Sequence, residues 1–275
     1  MKKETKDTKR RFSFSNLKAE IKQHKAAFAV YVALRAIVVA AMVLSLLRHD
    51  YESFFVCTLS LILFLVPAFV EKNFDIGLPS TLQIIILLFI FSAEILGEMQ
   101  SFYIKYAWWD TMLHTLNGFL CAAIGFALVD ILNRNERIKF QLSPLFLAIV
   151  AFCFSMTVGI FWEFFECGVD LLLHTDMQKD TVVQNIYTVT LDPTRTNTVI
   201  PIENITAVTV NSTELGLGGY LDIGLLDTMK DLFVNFIGAL VFSIIGFFYV
   251  KGRGKGNRFI QSFIPTIRNK KTEDT

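Results

Sequence analysis

The chain has 275 residues, of which 53% are hydrophobic and 19% are charged, and its mean hydropathy is +0.49. A soluble domain of this length would be less apolar and more charged, so the composition excludes that class. The formal net charge is +1 and no basic stripe with interleaved aromatic residues occurs, so no nucleic-acid partner is predicted. Continuous apolar runs instead predict transmembrane helices, because about 20 apolar helical residues cross about 30 Å of hydrocarbon. The chain is therefore predicted to be an all-α integral membrane protein.

Six apolar runs follow a polar, basic tail over residues 1–25. The first run is too long for the core of a signal peptide and contains Arg35, which would either snorkel to the interface or reach inward as a counter-ion. The fifth is longer than one crossing needs, so its last turns project from the membrane or the helix tilts. The predicted spans are residues 26–47, 53–70, 81–96, 110–132, 143–173 and 227–250.

Lysine and arginine residues predict the orientation, because the cytoplasmic loops of membrane proteins carry an excess of both. With a cytoplasmic N-terminus, the inner segments are residues 1–25, 71–80, 133–142 and 251–275, and they hold 20 of the 26 basic residues. Five others lie in outer segments or at their edges, and the last is Arg35. The bias predicts a multi-pass plasma-membrane protein whose basic tails, residues 1–25 and 251–275, are both cytoplasmic.

Residues 174–226 form the one large segment predicted outside the membrane. Short β-branched stretches, such as residues 188–190 and 206–210, are separated by turn signals at Asp192-Pro193 and at residues 216–219. The pattern predicts a small β-hairpin or an extended lid on the outer face.

Ten polar residues lie within the predicted spans or at their ends, where ionisable groups are costly unless they face a cavity, pair or bind something. With the predicted orientation all ten fall in the outer leaflet region. Within each span they are three or four residues apart and therefore share one helix face. They are Glu94 and Glu98 on span three, Asp110, His114 and Asn117 on span four, Glu163 and Glu166 on span five, and Asp227, Asp231 and Asn235 on span six.

These residue types predict a metal site, because helical bundles build such sites from inward-facing carboxylates and histidines. A histidine with several carboxylates suits Zn, Mn or Fe, whereas carboxylates and amides alone suit Mg or Ca. One divalent ion is the candidate cofactor, and its candidate ligands are Asp110, His114, Glu163, Glu166, Asp227 and Asp231. The candidate catalytic residues are His114, Glu163, Glu166 and Asp231, and the supporting residues are Asn117, Asn235, Glu94 and Glu98.

Simpler interpretations remain open for part of this set. Asp110 and Asp227 begin their spans and would serve as helix N-caps. Lys105 and Lys230 would neutralise carboxylates without a metal. Three tryptophans are most simply interface-belt residues, namely Trp108, Trp109 and Trp162.

Small residues accompany the polar stripes. Four glycines would allow the close helix approach that a compact site requires, and they are Gly118, Gly125, Gly159 and Gly238.

Four cysteines have no CxxC spacing and are interpreted as small buried hydrophobic residues, and they are Cys57, Cys121, Cys153 and Cys167.

Three motifs carry a family resemblance over residues 90–250. The patterns Asp110-x-x-x-His114, Trp162-Glu163-x-x-Glu166 and Asp227-x-x-x-Asp231 resemble the YjdF-like family of bacterial inner-membrane proteins. The ending Asp231-x-x-x-Asn235-x-x-Gly238-Ala239 is also similar to VanZ-like membrane proteins. Those proteins tend to have Glu-x-x-Gln where this chain has Glu-x-x-Glu, and residues 174–226 are longer than the resemblance implies, so both departures favour the YjdF-like family. The resemblance implies a protein of the bacterial cell envelope and supplies no established reaction.

Three functions fit these observations. The first is a membrane enzyme in which a metal or a carboxylate pair activates water or polarises a phosphoryl or acyl oxygen of a lipid or lipid-linked envelope substrate. The second is a proton- or cation-coupled transporter, for which no inverted repeat or broken helix pair is evident. The third is a non-enzymatic envelope binding or resistance protein whose outer segment recognises a partner.

Overall fold

The computed structural model describes residues 25–74, 76–133, 142–252 and 266–267. Within these residues, six helices are long and apolar enough to cross a membrane, and they confirm the six predicted spans and the all-α membrane fold. The predicted and observed ends differ by three residues or fewer. The six helical spans are Lys25–Leu47, Tyr51–Asn73, Ser80–Met99, Trp109–Asp130, Pro144–Leu173 and Leu225–Lys251. The predicted basic tails lie almost entirely outside the described residues, and their cytoplasmic location stays a prediction.

The chain forms two compact units. Among the described residues, the first unit contains those up to 109, 127–133 and those from 248 onwards, and the second contains 110–126 and 142–247. The elements of the first unit are α1 (Lys25–Leu47), α2 (Tyr51–Leu63), α3 (Val66–Phe74), β1 (Ile76–Gly77), α4 (Ser80–Phe91), a π-helical segment (Ser92–Met99), α5 (Phe102–Lys105) and β8 (Thr266–Ile267), which pairs antiparallel with β1. Its core is apolar and consists of Leu34, Val38, Cys57, Phe64, Leu87, Ile90 and Ile95.

The second span is broken between α2 and α3, and the break accounts for Arg35. Pro67 has no N–H, and in a continuous helix its ring would clash with the carbonyl of Leu63, the last residue of α2, so the helical hydrogen bonds lapse here. The N–H of Leu65 donates to the Ile62 carbonyl at 3.0 Å, which leaves the Leu61 carbonyl without its helical partner. Arg35 Nη2 donates to that carbonyl at 3.2 Å, and Nη1 donates to the Tyr31 hydroxyl at 2.5 Å. Arg35 therefore donates a hydrogen bond to a carbonyl that the interrupted helix leaves without its helical partner.

Glu94 and Glu98 lie in the π-helical segment of the first unit. The N–H of Gln100 donates to the Ile95 carbonyl five residues earlier, at 3.1 Å, which is the hydrogen bond that defines a π-helix. Glu94 is half-buried and Glu98 is exposed. Lys105 Nζ donates to the Gln100 carbonyl at 2.6 Å. The supporting role of the two glutamates stays a prediction.

The second unit is built on α6 (Trp109–Asn133), α7 (Pro144–Leu173) and α8 (Leu225–Lys251), and α6 and α8 also contribute residues to the first unit. Glycines bring α6 and α8 into backbone contact and let the Asn235 side chain of α8 pack against α7. A Cβ at Gly238 of α8 would lie 2.0 Å from the Thr115 carbonyl oxygen, and one at Gly118 of α6 would lie 2.1 Å from that of Asn235. On α7, a Cβ at Gly159 would meet the Asn235 amide at 2.7 Å. The close approach predicted for these glycines is confirmed.

The segment between α7 and α8 contains short strands in antiparallel pairs. They are β2 (Val182–Val183) with β7 (Tyr220–Leu221), β3 (Ile186–Thr188) with β4 (Ile200–Ile202), and β5 (Thr209–Val210) with β6 (Thr213–Glu214). The predicted β-rich insertion is therefore present. Because it joins the end of α7 to the start of α8, it lies at the same end of these helices as their polar residues.

A buried aspartate organises the turn predicted at Asp192-Pro193. Asp192 accepts hydrogen bonds from the Thr194 hydroxyl at 2.6 Å and from the backbone N–H groups of Thr198, Thr194 and Thr196 at 2.9–3.0 Å. These donors, led by the Thr194 side chain, hold the pKa of Asp192 well below its ordinary range. The loop that follows β3 is thus ordered around one carboxylate.

The cysteine interpretation holds in part. All four cysteines are free, and Cys57 is completely buried. Cys153, however, is exposed on the surface of α7, so the expectation that it is buried was wrong. A small thiol on a lipid-facing helix surface meets no cost that would drive it inward.

Candidate metal centre

Three helices place charged side chains around His114. Asp110 and His114 lie in the first two turns of α6, Glu163 lies two-thirds of the way along α7, and Asp231 lies in the second turn of α8. These three helices alternate in direction along the chain, and the polar residues occur at alternating ends of their sequences. The convergence of Asp110, His114, Glu163 and Asp231 in one place is what the topology predicts.

Both nitrogens of His114 face carboxylates. Nε2 lies 3.4 Å from Asp110 Oδ1 and 4.0 Å from Asp231 Oδ2, while Nδ1 lies 3.8 Å from Glu163 Oε1. One ligand atom from each of Asp110, His114 and Asp231 lies within 4.8 Å of the others. Ligands bound to one ion at about 2.1 Å lie roughly 3.4 Å apart, so the three side chains need only a small contraction to hold a cation.

Two carboxylate oxygens at the centre lack hydrogen-bond partners. Glu163 and Asp231 are 4% and 2% exposed, and neither Glu163 Oε2 nor Asp231 Oδ1 has a hydrogen bond among the described residues. A buried carboxylate oxygen without a hydrogen bond costs free energy, so such an oxygen calls for a partner such as a water, a proton or an ion. Glu163 Oε2 and Asp231 Oδ1 are the two such carboxylate oxygens of the cluster among the described residues.

Lys230 bridges the aspartates of α6 and α8. Its Nζ lies 2.6 Å from Asp227 Oδ1, 3.4 Å from Asp110 Oδ2 and 3.5 Å from Asp231 Oδ1. The side chain is 42% exposed, so the ammonium lies at the solvent-accessible edge of the centre. The sequence suggested Lys230 as a neutralising residue, and the structure shows it beside three carboxylates.

Asp227 belongs to this edge and does not cap α8. It accepts from Lys230 Nζ and also from the backbone N–H of Lys179 at 2.9 Å. Asp222 instead accepts from the first-turn N–H of Leu226, at 2.9 Å, and from the N–H of Thr181 at 2.6 Å. Burial acts to raise the pKa of Asp222, but these backbone donors outweigh burial and lower the pKa. The sequence signal for this cap was an aspartate three residues before the helix.

Glu166 lies one turn beyond Glu163 on α7 and is paired within its own helix. Trp162 Nε1 donates to Glu166 Oε1 at 2.7 Å, and the glutamate is 9% exposed. The interface-belt interpretation of Trp162 therefore missed its partner, although the i,i+4 spacing was a visible signal. Trp109, by contrast, is 8% exposed and donates to the Ser92 carbonyl at 3.3 Å, so it packs inside the first unit and does not form an exposed belt.

A line of uncharged polar groups continues from His114 towards the middle of the helices. Asn117 Nδ2 donates to Asn235 Oδ1 at 3.2 Å, and Cys121 Sγ donates to Asn117 Oδ1 at 3.5 Å. Asn235 is 1% exposed, and its Nδ2 contacts Met156 Sδ at 3.7 Å. The two asparagines predicted as supporting residues thus join α6 to α8 directly below the charged cluster.

The match to one family model decides the classification. The chain belongs to the family described as Predicted membrane protein (DUF2238). That model matches residues 30–252, and hence the helices that carry the centre. The membership fits the YjdF-like resemblance, whereas the VanZ-like similarity stays an interpretation of the last motif. No curated protein and no solved structure shows a significant match to the chain.

Proposed function

We propose that this protein binds one divalent metal ion at the His114 cluster and acts as a metal-dependent membrane enzyme on a lipid or lipid-linked envelope substrate. The ligands are Asp110, His114 Nε2 and Asp231. The observation that supports this proposal most directly is the convergence of three helices on His114 beside two buried carboxylate oxygens that accept no hydrogen bond. Carboxylate oxygens beside an imidazole nitrogen form the kind of N and O ligand set that binds a divalent cation.

Glu163 has a role distinct from the three ligands. Its Oε1 faces His114 Nδ1 at 3.8 Å, so it orients the imidazole with Nε2 towards the aspartates. Its second oxygen, Oε2, accepts no hydrogen bond and is available to take a proton from water. The ion would supply Lewis-acid polarisation of an ester or phosphoryl oxygen. Glu166 and Asp227, which have partners of their own, support the centre from its edges.

The substrate class follows from the position of the centre. The ligands lie near the ends of membrane-crossing helices, where head groups and hydrocarbon meet. The inserted segment of residues 174–226 begins at the same end and is tied to Asp227 through Lys179. We propose that this end is the outer face of a plasma membrane with both termini cytoplasmic, as the distribution of basic residues predicts. An amphiphilic substrate reaches such a site from the bilayer.

Metal analysis of the purified protein tests the binding step. The wild type, His114→Ala, Glu163→Gln and the exposed control Glu214→Gln are equilibrated with Zn, Mn, Fe or Mg and their bound metal is measured. We expect one ion per wild-type and control chain, none in His114→Ala, and an affinity for Glu163→Gln about 10–100-fold weaker, the usual effect of an orienting residue. Equal metal content in wild type and His114→Ala overturns the proposal.

The enzymatic step has its own test. Proteoliposomes containing lipid and lipid-linked envelope precursors are incubated with the metal-loaded protein, and head-group release is followed by mass spectrometry. Glu163→Gln, loaded with saturating metal, should lose about 10²–10⁴-fold in rate, because it lacks the general base. Metal binding without any release of a head group would refute the enzyme and leave only a metal-binding membrane protein.

Ion-coupled transport is the second candidate, and the polar line below the centre favours it. Asn117, Asn235 and Cys121 extend the hydrophilic contacts beyond the charged cluster and towards the middle of the helices. A transporter requires such a route to the opposite face. Proton or cation flux into proteoliposomes should then fall in Glu163→Gln and Asp231→Asn, and a flux that ignores both substitutions excludes this candidate.

A further inference from the structure

Asp110 and Asp231 are each shared between His114 and Lys230. Asp110 presents Oδ1 to His114 and Oδ2 to Lys230, both at 3.4 Å. Asp231 presents Oδ2 to His114 at 4.0 Å and Oδ1 to Lys230 at 3.5 Å. The imidazole and the ammonium therefore face opposite oxygens of the same two carboxylates, in a symmetrical arrangement.

The lysine neutralises both aspartates and donates a hydrogen bond to Asp110 Oδ2, but it leaves Asp231 Oδ1 without a hydrogen bond. Asp231 Oδ1 accepts no hydrogen bond although Lys230 Nζ lies 3.5 Å away, and the short contact of the ammonium is with Asp227 at 2.6 Å. A positive charge beside a carboxylate lowers the attraction of that carboxylate for a second cation, because like charges repel strongly in a poorly hydrated site. A cation bound beside His114 must therefore share Asp110 and Asp231 with the Lys230 ammonium.

We propose that Lys230 is a built-in counter-cation that sets the affinity of the centre for its divalent ion. The proposal rests on the metal site described under the proposed function and adds a residue that is not itself a ligand. Lys230 stabilises Asp110, Asp227 and Asp231 while no ion is bound, and it weakens binding when one arrives. The ion consequently remains exchangeable with the solvent. The 42% exposed side chain leaves the ammonium room to move outward as the ion enters.

The test is a titration with Mn²⁺ and with Zn²⁺ at constant pH, on the full chain in detergent. Lys230→Met removes the charge, Lys230→Arg keeps it, and Lys179→Met removes an ammonium whose ion-pair partner among the described residues is Asp176. We expect Lys230→Met to bind each ion at least roughly tenfold more tightly than wild type. Lys230→Arg should stay within about threefold of wild type, and Lys179→Met should be indistinguishable from it.

A second variant keeps the test valid if Lys230→Met folds poorly. Asp227 loses its 2.6 Å partner in that variant, so the second variant is Lys230→Gln, which removes the charge but keeps a hydrogen-bond donor for Asp227. Lys230→Gln should also bind the ions at least roughly tenfold more tightly, and thermal unfolding without metal checks its fold.

The two proposals fail in different ways. If the wild type binds an ion and His114→Ala does not, the metal site stands. Affinities of Lys230→Met and Lys230→Gln equal to or weaker than wild type then overturn the role of Lys230. If neither the wild type nor any variant binds either ion, the metal site itself is refuted. Binding that appears only after Lys230 is removed supports the counter-cation and contradicts a resident ion in the wild type.

Discussion

Gly238→Ala is the sharpest test of the packing that assembles the centre. The added Cβ would lie 2.0 Å from the Thr115 carbonyl oxygen and 2.9 Å from the Phe119 nitrogen, where ordinary contacts are 3.4–4 Å. Both neighbours are backbone atoms of α6, so no rotamer change relieves the overlap and the two helices must separate. Overpacking of this kind costs about 1–3 kcal/mol, and an unyielding backbone places this case near the upper value.

The expected effect is a loss of about 3 kcal/mol in the free energy of unfolding, or roughly 6–12 °C in the midpoint for a chain of this size. Thermal unfolding in detergent, followed by circular dichroism, measures it. Gly168→Ala is the matched control, because nothing lies within 4 Å of its Cβ and alanine favours a helix by up to about 1 kcal/mol. A Gly238→Ala midpoint equal to that of Gly168→Ala would show that α6 and α8 do not meet at this glycine.

Two further predictions concern residues away from the centre. Arg35→Met should lower the free energy of unfolding by roughly 1–3 kcal/mol, because it leaves the Leu61 carbonyl unpaired in an apolar core. The exposed Arg48→Met should change it by less than about 0.5 kcal/mol, and equal effects of the two would contradict the role given to Arg35. Asp192 has a lowered pKa, so its stabilisation of the loop is complete above its ordinary value of about 3.9 and is lost only as the pH falls through the lowered one. The amide resonance of Thr198 should therefore stay unchanged between neutral pH and about pH 4, and a shift centred above that range would refute the reasoning.

The sequence predicted the structure best where helix periodicity acts together with the need for apolar residues in hydrocarbon. The spans could be predicted because hydrocarbon demands long apolar helices. The approach of Asp110, His114, Glu163 and Asp231 could be predicted because alternate spans reverse direction and three- or four-residue spacing keeps side chains on one face.

Other features depend on contacts that no local pattern encodes. Residues 92–99 have a composition that an α-helix would also have, so no sequence pattern predicts that this segment is π-helical. The second span was predicted as uninterrupted although it contains Pro67, and the partner of the freed carbonyl, Arg35, lies on another helix. Asp222 caps α8 and Asp227 does not. This difference likewise depends on Lys179 and Thr181, which the fold brings in from the inserted segment.

The hydrogen bond from Lys179 to Asp227 has an evolutionary consequence, because its donor is a main-chain N–H. Any residue except proline can supply that donor, so position 179 is free to drift in charge and size while the inserted segment keeps its hold on the centre. Proline is the one replacement that would sever the connection. The chemistry of residues 174–226 can thus diversify without any change at the end of the helices that carries the His114 cluster.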